Sequence, residues 1–135
     1  MAMNMAFLYP ESIDGVVIHS GLGFKIAQDV IYANEILMNP PLELAGFQVR
    51  EFDHIKKWML IHGKKDLRVH FDHMGLIKKQ ILSSLNNNQL INNQVSILDY
   101  SIDELAHKWS GGANRDYSDP SAPDVTSLIL EIFLN

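Results

Sequence analysis

Residues 53–71 read DHIKKWMLIHGKKDLRVHF, and how this stretch folds decides the architecture on either side of it. Read as a helix, Asp53 caps the first turn, Ile55, Trp58, Met59 and His62 share one face, and Gly63 closes the element. Read as strands, Lys57–Ile61 pairs with Leu67–Phe71 in a hairpin around His62-Gly63-Lys64-Lys65-Asp66. The spacing of the apolar residues predicts a helix for the first half. Leu67, Val69 and Phe71 alternate with Arg68 and His70, which predicts a strand for the second half.

Downstream, Asp72 stands at an N-cap position. Met74, Ile77, Ile81, Leu82 and Leu85 then form a helical stripe with Lys78 and Lys79 outward. The Asn-rich residues 86–94 read as a loop and Val95–Leu98 as a short strand. Ser101-Ile102-Asp103-Glu104 fits a capping box and predicts a short helix through Trp109, ended by Gly111-Gly112. Residues 110–123 read as irregular. Pro123 suits a first helical turn, and Val125, Leu128, Ile129, Ile132 and Phe133 mark a closing amphipathic helix.

Upstream, Val16, Val17 and Ile18 make Gly15–His19 a short buried strand that ends at Ser20-Gly21-Leu22-Gly23. Ile26, Val30, Ala33 and Leu37 predict a helix over 22–38, stopped by Asn39-Pro40-Pro41. Strands alternating with helices imply an α+β fold, a small sheet of about three short strands with four or five helices packed on it. The alternative is a mostly helical domain. The 135 residues fit a single globular domain over 1–135.

A hydrophobic share of 47% supplies a core and excludes a disordered chain. The chain has no cysteine, so a disulfide framework and thiolate metal sites are excluded, and a cytoplasmic setting is expected. Met1–Phe7 lacks the basic start and long apolar run of a signal peptide. No apolar run approaches the ~18 residues of a membrane span, so no membrane partner is expected. The net charge of −5 lies entirely in residues 86–135, whereas residues 50–80 carry eight basic and four acidic groups. This asymmetry predicts a bipolar surface and bears on partners.

The polar constellations are weighed by geometry. His70, Asp72 and His73 invite a metal or nuclease reading, but on a strand His73 points away from His70 and Asp72, and Arg68 beside them opposes a cation. His54 and His62, two helical turns apart, lie about 12 Å from each other and cannot share a metal. His19 and Ser20, adjacent on a strand, face opposite ways, and the G-x-S-x-G turn of a nucleophile elbow is absent. Gly21-Leu22-Gly23 lacks the third glycine of a dinucleotide loop, and no phosphate-loop Gly-Lys-Ser/Thr exists. The basic set Arg50, Lys56, Lys57, Lys64, Lys65, Arg68, Lys78 and Lys79, with Phe52, Trp58 and Phe71 among it, suits phosphates. The overall acidity argues against a dedicated nucleic-acid binder.

What remains is the acidic C-terminal segment. Asp99, Asp103, Glu104, Asp116, Tyr117 and Asp119 surround a Gly- and Pro-containing loop and are the expected partner-binding residues. Asp103, Glu104 and Asp124 also have a plain role in capping helices. The expected function is a protein-binding module rather than an enzyme, with a basic protein as partner and no cofactor or metal. Intracellular inhibitors of the bacterial immunity or antitoxin type, which mask basic nuclease toxins, share this profile of size and charge. The alternatives are a small metal-dependent hydrolase or nuclease using His70, Asp72 and His73, and a structural subunit of a larger assembly.

Overall fold

The computed structural model describes residues 1–42, 55–85 and 95–134. The Asp53 cap, His54, Arg50, Phe52 and the expected 86–94 loop lie outside the described residues. Within the deciding stretch, residues Lys57–Gly63 are a strand, β2, and not a helix. The physical reason is that Trp58 through Gly63 are all buried. A helix on a surface buries one stripe, whereas a strand inside a parallel sheet buries both faces and tolerates a continuous apolar run.

β2 is the middle of a three-stranded parallel sheet, between β1 (Gly15–His19) and β3 (Ser96–Ile102). Val16 stands beside Trp58 and Ile18 beside Leu60, while Trp58 is in register with Ile97 and Ile61 with Tyr100. Alternation along the strands then sorts the core into two layers. On one face Val16, Ile18, Trp58 and Leu60 pack against Met3, Ala6 and Phe7 of α1 (Ala2–Leu8) and Met74, Ile77 and Ile81 of α3 (Asp72–Ser84). On the other face Met59 and Ile61 meet Val125, Leu128, Ile129 and Ile132 of α4 (Val125–Leu134). The Lys57 ammonium donates to the Ile132 carbonyl at 2.8 Å, tying the last turn of α4 to the start of β2.

The remaining elements are α2 (Val30–Met38), a 3-10 turn at Pro10–Ser12, and a small irregular ribbon of β4 (Trp109–Arg115) and β5 (Ser118–Asp119). The mixed α+β class is as expected, with four α-helices and a three-stranded sheet among the described residues. No helix among them is long and apolar enough to cross a membrane.

Several boundaries differ. The helix expected over 22–38 begins at Val30, because Asp29 caps it by accepting the Tyr32 N–H at 2.8 Å. Leu67–Phe71 is not a strand: Arg68 and Val69 turn their N–H groups onto Asp66, which leaves Leu67 82% exposed. The Ser101–Glu104 capping box opens no helix, since Ser101 and Ile102 complete β3 against His62 and Gly63. Gly111 and Gly112, expected as a helix end, lie inside β4 at φ +81° and +82°. α3 buries Leu76 as well as Met74, Ile77 and Ile81, while Leu82 is exposed. α1 is an element that the sequence pattern does not predict.

β2 has no solvent face to relax into. Leu60→Ala is therefore expected to cost about 2–5 kcal/mol, read from the midpoint of urea unfolding.

Candidate functional site

Parallel pairing brings the carboxyl ends of the three strands to one edge of the sheet, the edge where open α/β sheets place ligands. β1 ends there at His19, β2 at His62-Gly63 and β3 at Ile102. The chain beyond each end is tied to its neighbour. Ser20 N–H donates to the Ile61 carbonyl at 2.9 Å, Lys64 N–H to Ile102 at 2.9 Å and Lys65 N–H to Leu105 at 3.1 Å. Gly63 is what permits the last approach, because a Cβ there would strike the Leu105 carbonyl.

This convergence buries Asp66, whose side chain is 0% exposed. One carboxylate oxygen, Oδ1, accepts the Arg68 N–H at 2.8 Å and the Val69 N–H at 2.9 Å. The other, Oδ2, lies 2.8 Å from His107 Nδ1. Burial alone raises a carboxyl pKa, but the hydrogen bonds from Val69, His107 and Arg68 outweigh it and hold Asp66 below its usual value. Asp66 is thus an ionised acceptor, so the proton between the two groups sits on His107 Nδ1.

Two more histidines stand around this carboxylate. His62, at the end of β2 and 1% exposed, places Nε2 2.9 Å from the Val69 carbonyl and 3.5 Å from Asp66 Oδ2. Burial lowers its pKa, against the opposing pull of the Val69 carbonyl and Asp66. His19 stacks on Trp109 with ring centroids 5.0 Å apart. Burial, and then the nearby His62 and His107, push its pKa down to about 4. His19 Nε2 and Ser20 Oγ are buried and find no hydrogen-bond partner among the described residues. Ser20 also holds a φ of +48°, which a non-glycine residue adopts at a cost.

The residues singled out in the sequence are spread elsewhere. Asp103 pairs with Lys64 at 2.7 Å, Glu104 pairs with Lys65, and Asp99 pairs with Lys78. Asp119 accepts the Ser121 N–H at 3.0 Å, and Asp124 caps α4 through the Thr126 and Ser127 N–H groups. Asp116 and Tyr117 are exposed at the turn between β4 and β5. His73 turns inward to the Ile36 carbonyl at 2.7 Å, whereas His70 and Asp72 face solvent, so these three are not brought together. Among the described residues no three His, Asp or Glu side chains converge on a cation position. The pair that does converge, Asp66 and His107, is not among the residues that the sequence singles out. Its signal is an acid three residues past the glycine that ends a buried strand, followed by a histidine beyond the next strand.

No protein-family model matches the chain, and no curated protein does. The reading of the site therefore rests on its geometry.

The pH dependence of stability follows from these groups. His19 titrates near 6.5 when unfolded and at about 4 when folded, so the unfolded state binds the extra proton first as pH falls. His62 and His73 shift in the same direction. Stability is expected to decline from pH 7 toward pH 4, and further below it as Asp66 is forced to protonate. Urea midpoints across this window measure the decline, and His19→Gln is expected to flatten part of it.

Proposed function

We propose that Asp66 and His107 are the orienting acid and general base of a hydrolytic site that cleaves an ester or related acyl bond. The observation carrying this reading is the 2.8 Å contact between a fully buried, ionised carboxylate and His107 Nδ1. With Nδ1 committed to Asp66, Nε2 is the nitrogen left to accept a proton. The His107 side chain is 39% exposed, which suits contact with a substrate. Its chemistry is to take a proton from an attacking hydroxyl or water, then return it to the leaving oxygen. Asp66 favours the imidazolium formed between those steps. The order acid, then histidine, on the loops after successive parallel strands is the order of α/β hydrolases, where the nucleophile precedes both.

Hydrolysis of p-nitrophenyl acetate and butyrate tests the proposal. His107→Ala and Asp66→Asn are expected to lower kcat by about 10³–10⁴. Asp66→Asn is also expected to remove the hydrogen-bonded Nδ1 proton of His107 from the NMR spectrum. An unchanged Nδ1 proton, or turnover that survives His107→Ala, contradicts the reading. Ser20 stands at the same edge and precedes both residues in the chain. Turnover lost in Ser20→Ala, with the His107 proton retained, assigns it as the nucleophile. Turnover retained assigns the attack to water or to another hydroxyl.

A second reading, protein binding at the acidic C-terminal segment, is favoured by one observation: Tyr117 is 84% exposed beside the exposed Asp116. An aromatic held out between carboxylates suits a basic protein, including a nuclease masked by an inhibitor in a reducing cytoplasm. The triple variant Asp116→Ala, Tyr117→Ala, Asp119→Ala is expected to weaken capture of a basic partner and flatten its salt dependence. Unaltered capture removes the loop from consideration.

A further inference from the structure

We propose that His62 is a positioning residue for the Asp66–His107 pair, acting through the two peptide planes that meet at the Val69 Cα; this rests on the acid–base reading of that pair. The Val69 backbone is held at both ends. Its carbonyl faces His62 Nε2 at 2.9 Å, and its N–H donates to Asp66 Oδ1 at 2.9 Å. A carbonyl only accepts, so His62 carries its proton on Nε2. The direct distance from His62 Nε2 to Asp66 Oδ2 is 3.5 Å, too long to rival the bond to Val69. The influence of His62 on the carboxylate therefore passes through the backbone.

The ring itself is fixed. It is buried, it belongs to the central strand, and it meets the Phe71 ring edge-on at 5.7 Å between centroids. A rigid strand thus sets the position of Val69, Val69 and Arg68 set Oδ1, and the planar carboxylate then aims Oδ2 at His107. Substitution by an apolar residue fills the space but leaves a buried carbonyl with no donor. The peptide carrying that carbonyl then keeps only the His70 N–H bond to the Leu37 carbonyl at 2.7 Å, and the neighbouring Val69 N–H holds Oδ1 less firmly. Outer partners that orient metal-ligating side chains are worth about tenfold to a hundredfold, and the same scale is expected for an oriented acid–base pair.

The experiment uses the whole chain with ¹⁵N-labelled histidine and compares His62→Leu, His62→Gln, His62→Asn and Asp66→Asn. The readouts are the His107 Nδ1 proton and its exchange with water, together with kcat and KM for p-nitrophenyl butyrate. His62→Leu is expected to speed that exchange at least about tenfold and to lower kcat about tenfold to a hundredfold with KM nearly unchanged. His62→Gln, which extends an N–H to similar reach, is expected to restore both. His62→Asn is too short for Val69 and is expected to behave as Leu, which keeps the test open if the leucine variant does not fold. A Tm loss in Leu and Asn with the His107 proton and its exchange unaltered overturns the role of His62. If Asp66→Asn also leaves that proton unaltered, the acid–base reading falls with it. If Asp66→Asn removes it while Leu and Asn do not, only the role of His62 falls.

Discussion

β2 is buried from Trp58 to Gly63, and that single constraint organises the molecule. A strand with no solvent face must be flanked on both edges and covered on both faces. β1 and β3 satisfy its backbone, α1 and α3 cover one face, and α4 covers the other. Because all three strands run parallel, β2 and β3 must each be reached by a crossover, and all three carboxyl ends emerge together. The site is a direct consequence of that geometry.

What emerges at that edge is a carboxylate made comfortable in a dry place. Asp66 spends one oxygen on two backbone N–H groups and the other on His107. Two of its three donors are neutral amides on its own loop and the third is His107, so the ion needs no buried lysine or arginine beside it. Burial disfavours the charged forms of His19 and His62, which limits positive charge around the acid. Two neutral rings, one carboxylate and one histidine with a committed nitrogen form an arrangement suited to moving a proton.

The charge asymmetry of the sequence takes a different form in three dimensions. The basic residues near the middle and the acidic residues near the end are not separate surfaces throughout. Lys64, Lys65 and Lys78 reach across to Asp103, Glu104 and Asp99, because the ends of β2 and β3 lie side by side and α3 follows on. Charges far apart in sequence become local pairs. Of the expected partner-binding acids outside these pairs, Asp119 also has structural work as a turn cap, whereas Asp116 stands exposed beside Tyr117.

The sequence by itself determined the mixed class, the strand at Gly15–His19, the helix whose stripe includes Met74, Ile77 and Ile81, and the closing helix from Val125. In each of these, local periodicity and burial agree. It misread residues 57–62, because Trp58, Met59 and His62 sit at helical spacing and only burial on both faces reveals a strand. The capping box at Ser101–Glu104 misled in the same way: Ser101 and Ile102 are claimed by backbone pairing with β2, which a local signal cannot register. The site was illegible for the same reason. Asp66 and His107 are 41 residues apart, and the placing of each just after a strand acquires meaning only once β2 and β3 are known to lie side by side. Only the parallel register of β2 and β3, with Gly63 admitting the Leu105 carbonyl, carries the two loops to within hydrogen-bond distance.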